Sequence, residues 1–292
     1  MRYTALLLIL SFAASATAQA ATPSEIVATA PASSWISIPG DDLLVMEIEG
    51  GRRVIFQLAD RFAPAHVANI RKLAAAHWWD GTGIYRVQDN YVVQWGDRSE
   101  KKALPADARK NLPQDYVIDR KTVTGGLTLM PSRDSYAAAT GFLNGWPVAT
   151  DGKALWPVHC YGTVGAGRNL APDAGNGGEL YAVIGHAPRH LDRNIAIVGR
   201  LVEGTEHLSS LPRGTDSLGM YGESQKAIPI LSVRLASELP EKERPHFQML
   251  DTMSDTFAAY AKARANRQDE FFNVPAGGAD ICNIPVPIRR YL

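Results

Sequence analysis

Short β-type runs punctuated by turn residues dominate this chain, and that pattern restricts its fold more than any other feature. Leu43 to Glu49 and Arg52 to Leu58 are two such runs, separated by Gly50-Gly51, a dipeptide suited to a tight hairpin. Further strands are expected at Gly83 to Val87, Tyr91 to Trp95, Leu127 to Met130, Val158 to Gly165, Leu180 to Ile184, Ile195 to Val202 and Ile228 to Leu235. A single interior helix is expected. Pro64 suits its first turn, and Val67, Ile70, Leu73 and Ala74 follow at steps of three and four. Many short strands with one helix point to a barrel or sandwich, not a parallel α/β sheet.

The flanks read differently. Residues 1–20 read as a secretory leader: Arg2 supplies the charge, Ala5 to Ala14 is uncharged, and Ala18-Gln19-Ala20 has the small-x-small form of a cleavage site. That apolar stretch is too short to span a bilayer, which takes roughly 20 residues. The mature chain would start at Ala21 and be exported to the periplasm. Residues 21–40, rich in Ala, Thr, Ser and Pro, read as a linker. Arg98 to Tyr161 carries one strand signal and tandem turns at Gly141, Asn144-Gly145 and Asp151-Gly152, the mark of a decorated connection. Beyond Pro240, Phe247, Leu250, Met253, Phe257 and Tyr260 recur at helical steps and predict an amphipathic helix. The tail from Phe271 to Leu292 is Pro- and Gly-rich, yet apolar enough to dock.

Charge excludes some partners. Lys plus Arg number 30, and so do Asp plus Glu, so neither nucleic acid nor an anionic membrane surface is expected as a partner. Ordinary catalytic motifs are missing as well. Gly162-Thr-Val-Gly165-Ala-Gly167 runs into turn residues and not into a helix, so it is no dinucleotide loop. His186 and His190 have zinc-helix spacing, but Pro188 interrupts that helix. There is no G-x-S-x-G elbow, and Asp41-Asp42 lies in a turn. No metal and no cofactor is expected. Cys160 and Cys282 form an even pair in an oxidising compartment, which permits a disulfide; two buried, inert thiols are the alternative.

The segment from Ile84 to Asp97 resembles the cyclophilin-type peptidyl-prolyl isomerase signature F-H-R-x-x-x-x-F-x-x-Q-G-G-D, with Arg86, Gln94, Gly96 and Asp97 in register. The resemblance continues in order. Phe62-Ala-Pro64-Ala-His-Val-Ala-Asn69-Ile is similar to A-P-x-x-V-x-N-F, and Gly162 to Arg168 to G-T-x-x-M-A-R. Leu191-Asp192 with Ile197 to Gly204 resembles L-D-x-x-x-x-V-F-G-x-V-x-E-G, and Ile230-Leu-Ser-Val233 the closing strand.

This resemblance implies a mainly β fold: a closed eight-stranded antiparallel barrel capped by two helices, the second near Gly204 to Leu211, plus a C-terminal helical extension. The barrel would occupy residues 41–239 with an insertion within 98–161, and residues 240–292 would form the extension. The implied activity is cis–trans isomerisation of X-Pro bonds in exported or unfolded polypeptides; a non-catalytic peptide-binding or chaperone module on the same barrel is the alternative. Arg86 and Gln94 would be catalytic. Substrate would meet Tyr91, Val92, Gly167, Arg168, Tyr181, His190 and Leu191. The pocket departs from the family pattern: Ile84-Tyr85 precedes the arginine where Phe-His is usual, and Val92 replaces a methionine. His190 stands at the usual tryptophan and Ile195 at the usual histidine, and the usual phenylalanine falls at Tyr181-Ala182, with the choice between the two left open. The oligomeric state is left open.

Overall fold

The computed structural model describes residues 21–99, 101–269 and 271–291, so residues 1–20, expected to be a secretory leader, lie outside the described residues. The stretch expected to be a linker is instead ordered. Thr22 caps helix α1 (Pro23–Ala28), its side chain and that of Glu25 each accepting from the other's backbone, and β1 (Trp35–Ile38) follows. The barrel then begins with β2 (Leu43–Ile48) and β3 (Arg52–Leu58). Gly50 and Gly51 both hold positive φ, at 86° and 70°, which a two-residue hairpin turn of matching twist requires. Next come α2 (Pro64–Ala75), β4 (Gly83–Val87) and β5 (Val92–Gly96).

The long connection is a sheet of its own. It comprises β6 (Ile118–Asp119), β7 (Leu127–Leu129), β8 (Ala139–Leu143), β9 (Trp146–Thr150) and β10 (Ala154–Pro157), in the order β6-β10-β9-β8-β7. Asn144-Gly145 is the hairpin turn between β8 and β9. Gly141 is no turn at all: it lies within β8, where a Cβ would fall 2.1 Å from the Thr128 carbonyl oxygen. The barrel resumes with β11 (Thr163–Ala166), β12 (Leu180–Val183), β13 (Ile197–Glu203), α3 (Thr205–Ser209) and β14 (Ile228–Leu235). The strand expected from Val158 starts only at Thr163, because residues 158–162 turn, with Gly162 at φ 80°.

The proposed long C-terminal helix is corrected. Phe247–Leu250 is strand β15, and only Asp255–Ala265 is helical (α4), with the Ser254 side chain accepting from the Phe257 amide; β16 (Ile288–Arg290) follows. Phe247 and Leu250 mimic a helical stripe, but β15 pairs with β1 and β16, a non-local choice the local spacing cannot reveal.

The barrel closes in the order β11-β12-β5-β4-β14-β2-β3-β13, with β13 returning to β11, so no edge is left open. Leu44, Met46 and Ile48 of β2 and Val54, Phe56 and Leu58 of β3 point into its core with Val93, Trp95 and Val164. Val67, Ile70, Leu73 and Ala74 of α2 and Leu208 of α3 join the same core, so the two helices cap it. Outward-facing Leu43, Val45 and Ile55 are buried too, under Ile38 and Phe247 of the three-stranded sheet. That is why β2 reads as a continuous apolar run and not as an alternating one. A second core joins Trp35, Phe142, Trp156, Leu250 and Phe257, drawn from the N-terminal segment, the insertion and the extension. Cys160 and Cys282 are bonded, Cα–Cα 5.1 Å, tying the tail to the barrel.

Candidate active site

Three neighbouring strands, β12, β5 and β4, and the segment that leaves β11 line one pocket of about 110 Å³. Alternation along β5 sends Val93 and Trp95 into the core and Val92 and Gln94 to the pocket. On β4 alternation breaks. Ile84 and Val87 both point inward, and pairing with β5 shifts register between Ile84 and Arg86. This bulge puts Tyr85 and Arg86 side by side on the outer face, a re-aiming that bulges commonly perform beside sites.

Three contacts orient the Arg86 guanidinium. Its Nε donates to the Leu218 carbonyl at 2.8 Å, one Nη to Gln94 Oε1 at 3.1 Å and the other to Gln88 Oε1 at 2.6 Å. It also lies 5.9 Å from the centre of the Tyr91 ring. Burial lowers its pKa, and the nearby tyrosines partly offset that effect. Gln94 is fixed from its other end as Nε2 donates to the Tyr85 hydroxyl at 2.9 Å, and that hydroxyl donates to Glu179. Burial first, then the Glu179 charge, raises the Tyr85 pKa, so the phenol stays protonated as a donor. At Gly96 a Cβ would fall 2.3 Å from Glu179 Oε1, so glycine makes room for the carboxylate there.

The apolar floor is Val92 with Tyr181, and Leu191 and Ile195 close the wall. Tyr181 sits opposite Gly165 in the β11–β12 ladder, where a Cβ on Gly165 would lie 2.3 Å from the phenol ring. Glycine at 165 therefore lets the ring lie across β11. Its hydroxyl meets His159 Nε2 at 2.8 Å, and the two rings stack 6.3 Å apart. Gly167 and Arg168 form the remaining rim, Arg168 donating to the carbonyls of Asn194 and Asn169. His190 is exposed beside the pocket and stacks on Tyr91 at 11° between planes.

Arg86, Gln94, Tyr91, Val92, Gly167, Arg168, Tyr181 and Leu191 thus lie around one pocket, with His190 on the outer side of Tyr91. Sequence reasoning missed Gln88, Tyr85, Glu179 and the Leu218 carbonyl. Glu179 stands two residues before Tyr181, so strand alternation was an available signal. Leu218 gave none, as it reaches Arg86 from a loop 132 residues away.

Comparison with known proteins identifies the family. Residues 43–235 match the family described as cyclophilin type peptidyl-prolyl cis-trans isomerase/CLD. The chain belongs to that family and is a peptidyl-prolyl cis-trans isomerase. It is similar to the crystal structure of cyclophilin AquaCyp293 from Hirschia baltica, with a TM-score of 0.70 and 25% identity. That alignment covers 88% of this chain and 94% of the other, so the likeness reaches beyond the family segment. A cyclophilin-type isomerase from Cryptosporidium parvum aligns over 66% of this chain and 96% of its own, with 15% identity and a TM-score of 0.41. No curated protein sequence matches.

Proposed function

We propose that Arg86 is the catalytic group, that Gln94 holds the substrate backbone, and that the chain acts on proline-containing segments of exported or unfolded polypeptides in the periplasm. The observation that carries the catalytic assignment is the orientation of Arg86 by three separate acceptors above a floor of Val92 and Tyr181. An X-Pro bond turns over behind a barrier of about 18–20 kcal/mol set by amide resonance. Twisting the bond returns a lone pair to the prolyl nitrogen. A guanidinium N–H aimed there stabilises the twisted state more than either planar one, which is catalysis by differential binding. Neither nucleophile nor proton transfer is needed. The proline ring would rest on Val92 and Tyr181 while Gln94, held by Tyr85, meets the backbone before it.

Export is supported by the residue pattern of the leader and by the paired cysteines. A chymotrypsin-coupled assay on a proline tetrapeptide tests the activity, and a rate no higher than buffer refutes it. Cell fractionation with N-terminal sequencing tests the compartment: the expected product is periplasmic and begins at Ala21.

A further inference from the structure

A chain of buried polar groups runs from the pocket wall into the insertion. The Tyr181 hydroxyl meets His159 Nε2 at 2.8 Å, and His159 Nδ1 meets Asp192 Oδ1 at 3.0 Å. Asp192 Oδ2 accepts from Arg189 Nε at 2.6 Å, and the Arg189 fork donates to both carboxylate oxygens of Asp134 at 2.9 and 3.1 Å. The His159 side chain is fully buried, and those of Asp192, Arg189 and Asp134 are at most 5% exposed. Asp280 of the C-terminal tail stands 3.9 Å from the same guanidinium.

This arrangement is more than core packing. Burial alone would depress the Arg189 pKa, but the bonds and charges of Asp134 and Asp192 overcome that and raise it. Arg189 therefore remains a cation that needs both carboxylates. Breaking such a buried set from one side leaves an uncompensated charge. His159, kept neutral by burial, has one assignable tautomer: with carboxylate at Nδ1, that nitrogen carries the proton and Nε2 accepts from Tyr181. The turn Arg189–Leu191 that carries Arg189 also carries Leu191 of the pocket wall, with His190 beside the pocket on Tyr91. Asp134 lies in the insertion, in the loop between β7 and β8, and does not line the pocket.

We propose that Asp134, Arg189, Asp192 and His159 are positioning residues through which the insertion fixes the Tyr181 ring and the Leu191 wall in the shape that accepts proline. The inference rests on this pocket being the isomerase site. The insertion then acts on substrate affinity without touching substrate. Asp134 is the point of control, because it lies within the inserted sheet, between β7 and β8, whereas His159 stands where the insertion rejoins the barrel. A wall held by a phenol also tolerates less adjustment than a purely apolar one, since moving the ring strands two buried polar atoms.

The test compares wild type, Asp134→Ala, Asp134→Asn, Tyr181→Phe and the Asp134→Ala/Tyr181→Phe double variant of the oxidised full chain. Each is measured for Tm, for kcat and KM on a proline tetrapeptide, and for calorimetric Kd of the same peptide. Asp134→Ala should raise KM and Kd by about fivefold, the size of one hydrogen bond, with kcat within about twofold. Asp134→Asn, which keeps one acceptor, should recover part of that loss. In the Tyr181→Phe background the Asp134 effect should shrink to less than about twofold, because the phenol–imidazole link is already cut. A lowered Tm with unchanged Kd, or fully additive effects in the double variant, would overturn the proposal. If Asp134→Ala fails to fold, a Tyr181→Phe variant with wild-type Kd overturns it equally. Peptide binding without catalysis by wild type would refute the isomerase assignment while the Kd series still decides the relay; absence of both would overturn both.

Discussion

Replacing Arg86 by alanine probes the assignment most directly, and the structure sets the size of the effect. A guanidinium offers five N–H donors. Three are spent on Leu218, Gln94 and Gln88, so the group is held and still has donors to aim at substrate. A hydrogen bond from a charged donor is worth about 1.5–3 kcal/mol, and each 1.36 kcal/mol of barrier is tenfold in rate. Arg86→Ala should therefore lower kcat/KM by roughly tenfold to 150-fold in the chymotrypsin-coupled assay. Arg86→Lys keeps the charge but cannot reach three acceptors at once, so it should stay at least about fivefold below wild type. Folding should suffer little. The acceptors left behind lie at the half-buried rim and turn to water, at a cost of about 0.5–1.5 kcal/mol. A kcat/KM for Arg86→Ala equal to that of an active wild type would refute the reasoning. A fall in kcat/KM matched by a collapse in Tm would refute the claim that the residue acts on the substrate.

Cys160→Ser with Cys282→Ser should cost about 2–5 kcal/mol of stability, since the bond spans 122 residues and the chain-entropy model gives about 5 kcal/mol for that loop; equal denaturant midpoints would rule this out. Thiol titration of the unreduced, denatured chain should find no free thiol. Cyclosporin should inhibit weakly, above micromolar, because His190 stands where the resemblance places an indole donor; nanomolar inhibition would refute that placement. Burial lowers the His159 pKa, so its contribution to stability is complete above about pH 6.5. Below that the unfolded chain takes up a proton the folded one refuses, and stability falls toward the lower folded pKa. Tm should drop between pH 7 and pH 5 in wild type and less steeply in His159→Gln; parallel curves would show that His159 is not responsible.

The barrel was legible because its strands announce themselves locally. Gly50-Gly51 fixes the β2–β3 hairpin, and Val67, Ile70, Leu73 and Ala74 mark one face of α2. The site was legible through Arg86 and Gln94, whose eight-residue spacing spans one hairpin. Alternation fails at Ile84 to Val87, where the bulge turns Tyr85 toward Gln94, and no residue type there advertises a register shift. The outer elements were illegible for a different reason. β1 pairs with β15, and Trp35 faces Leu250 across more than two hundred residues, so neither strand has a hairpin partner nearby to betray it. Phe247 and Leu250, three apart, then satisfy the helical template by accident.

The same non-locality explains why the pocket wall is polar behind its apolar face. The insertion, the N-terminal segment and the extension share one core, with Phe142 edge-on to Phe257 at 4.9 Å and Trp35, Trp156 and Leu250 around them. No one of these segments could bury that surface alone. Besides the apolar contacts with β2 and β3, their joint body adjoins the barrel at Val158 to Tyr161, where the disulfide fixes Cys160 and His159 turns inward to Tyr181. At the other side of this junction the cation of Arg189 reaches Asp134. A salt-bridged contact is weak as a source of net stability but demanding in geometry, since its partners tolerate neither displacement nor loss. Placed between a decorated body and a proline pocket, it ties the position of one to the shape of the other. An isolated barrel cut free at residues 98–161 would keep Arg86 and Gln94 on β4 and β5 and lose the anchor behind Tyr181.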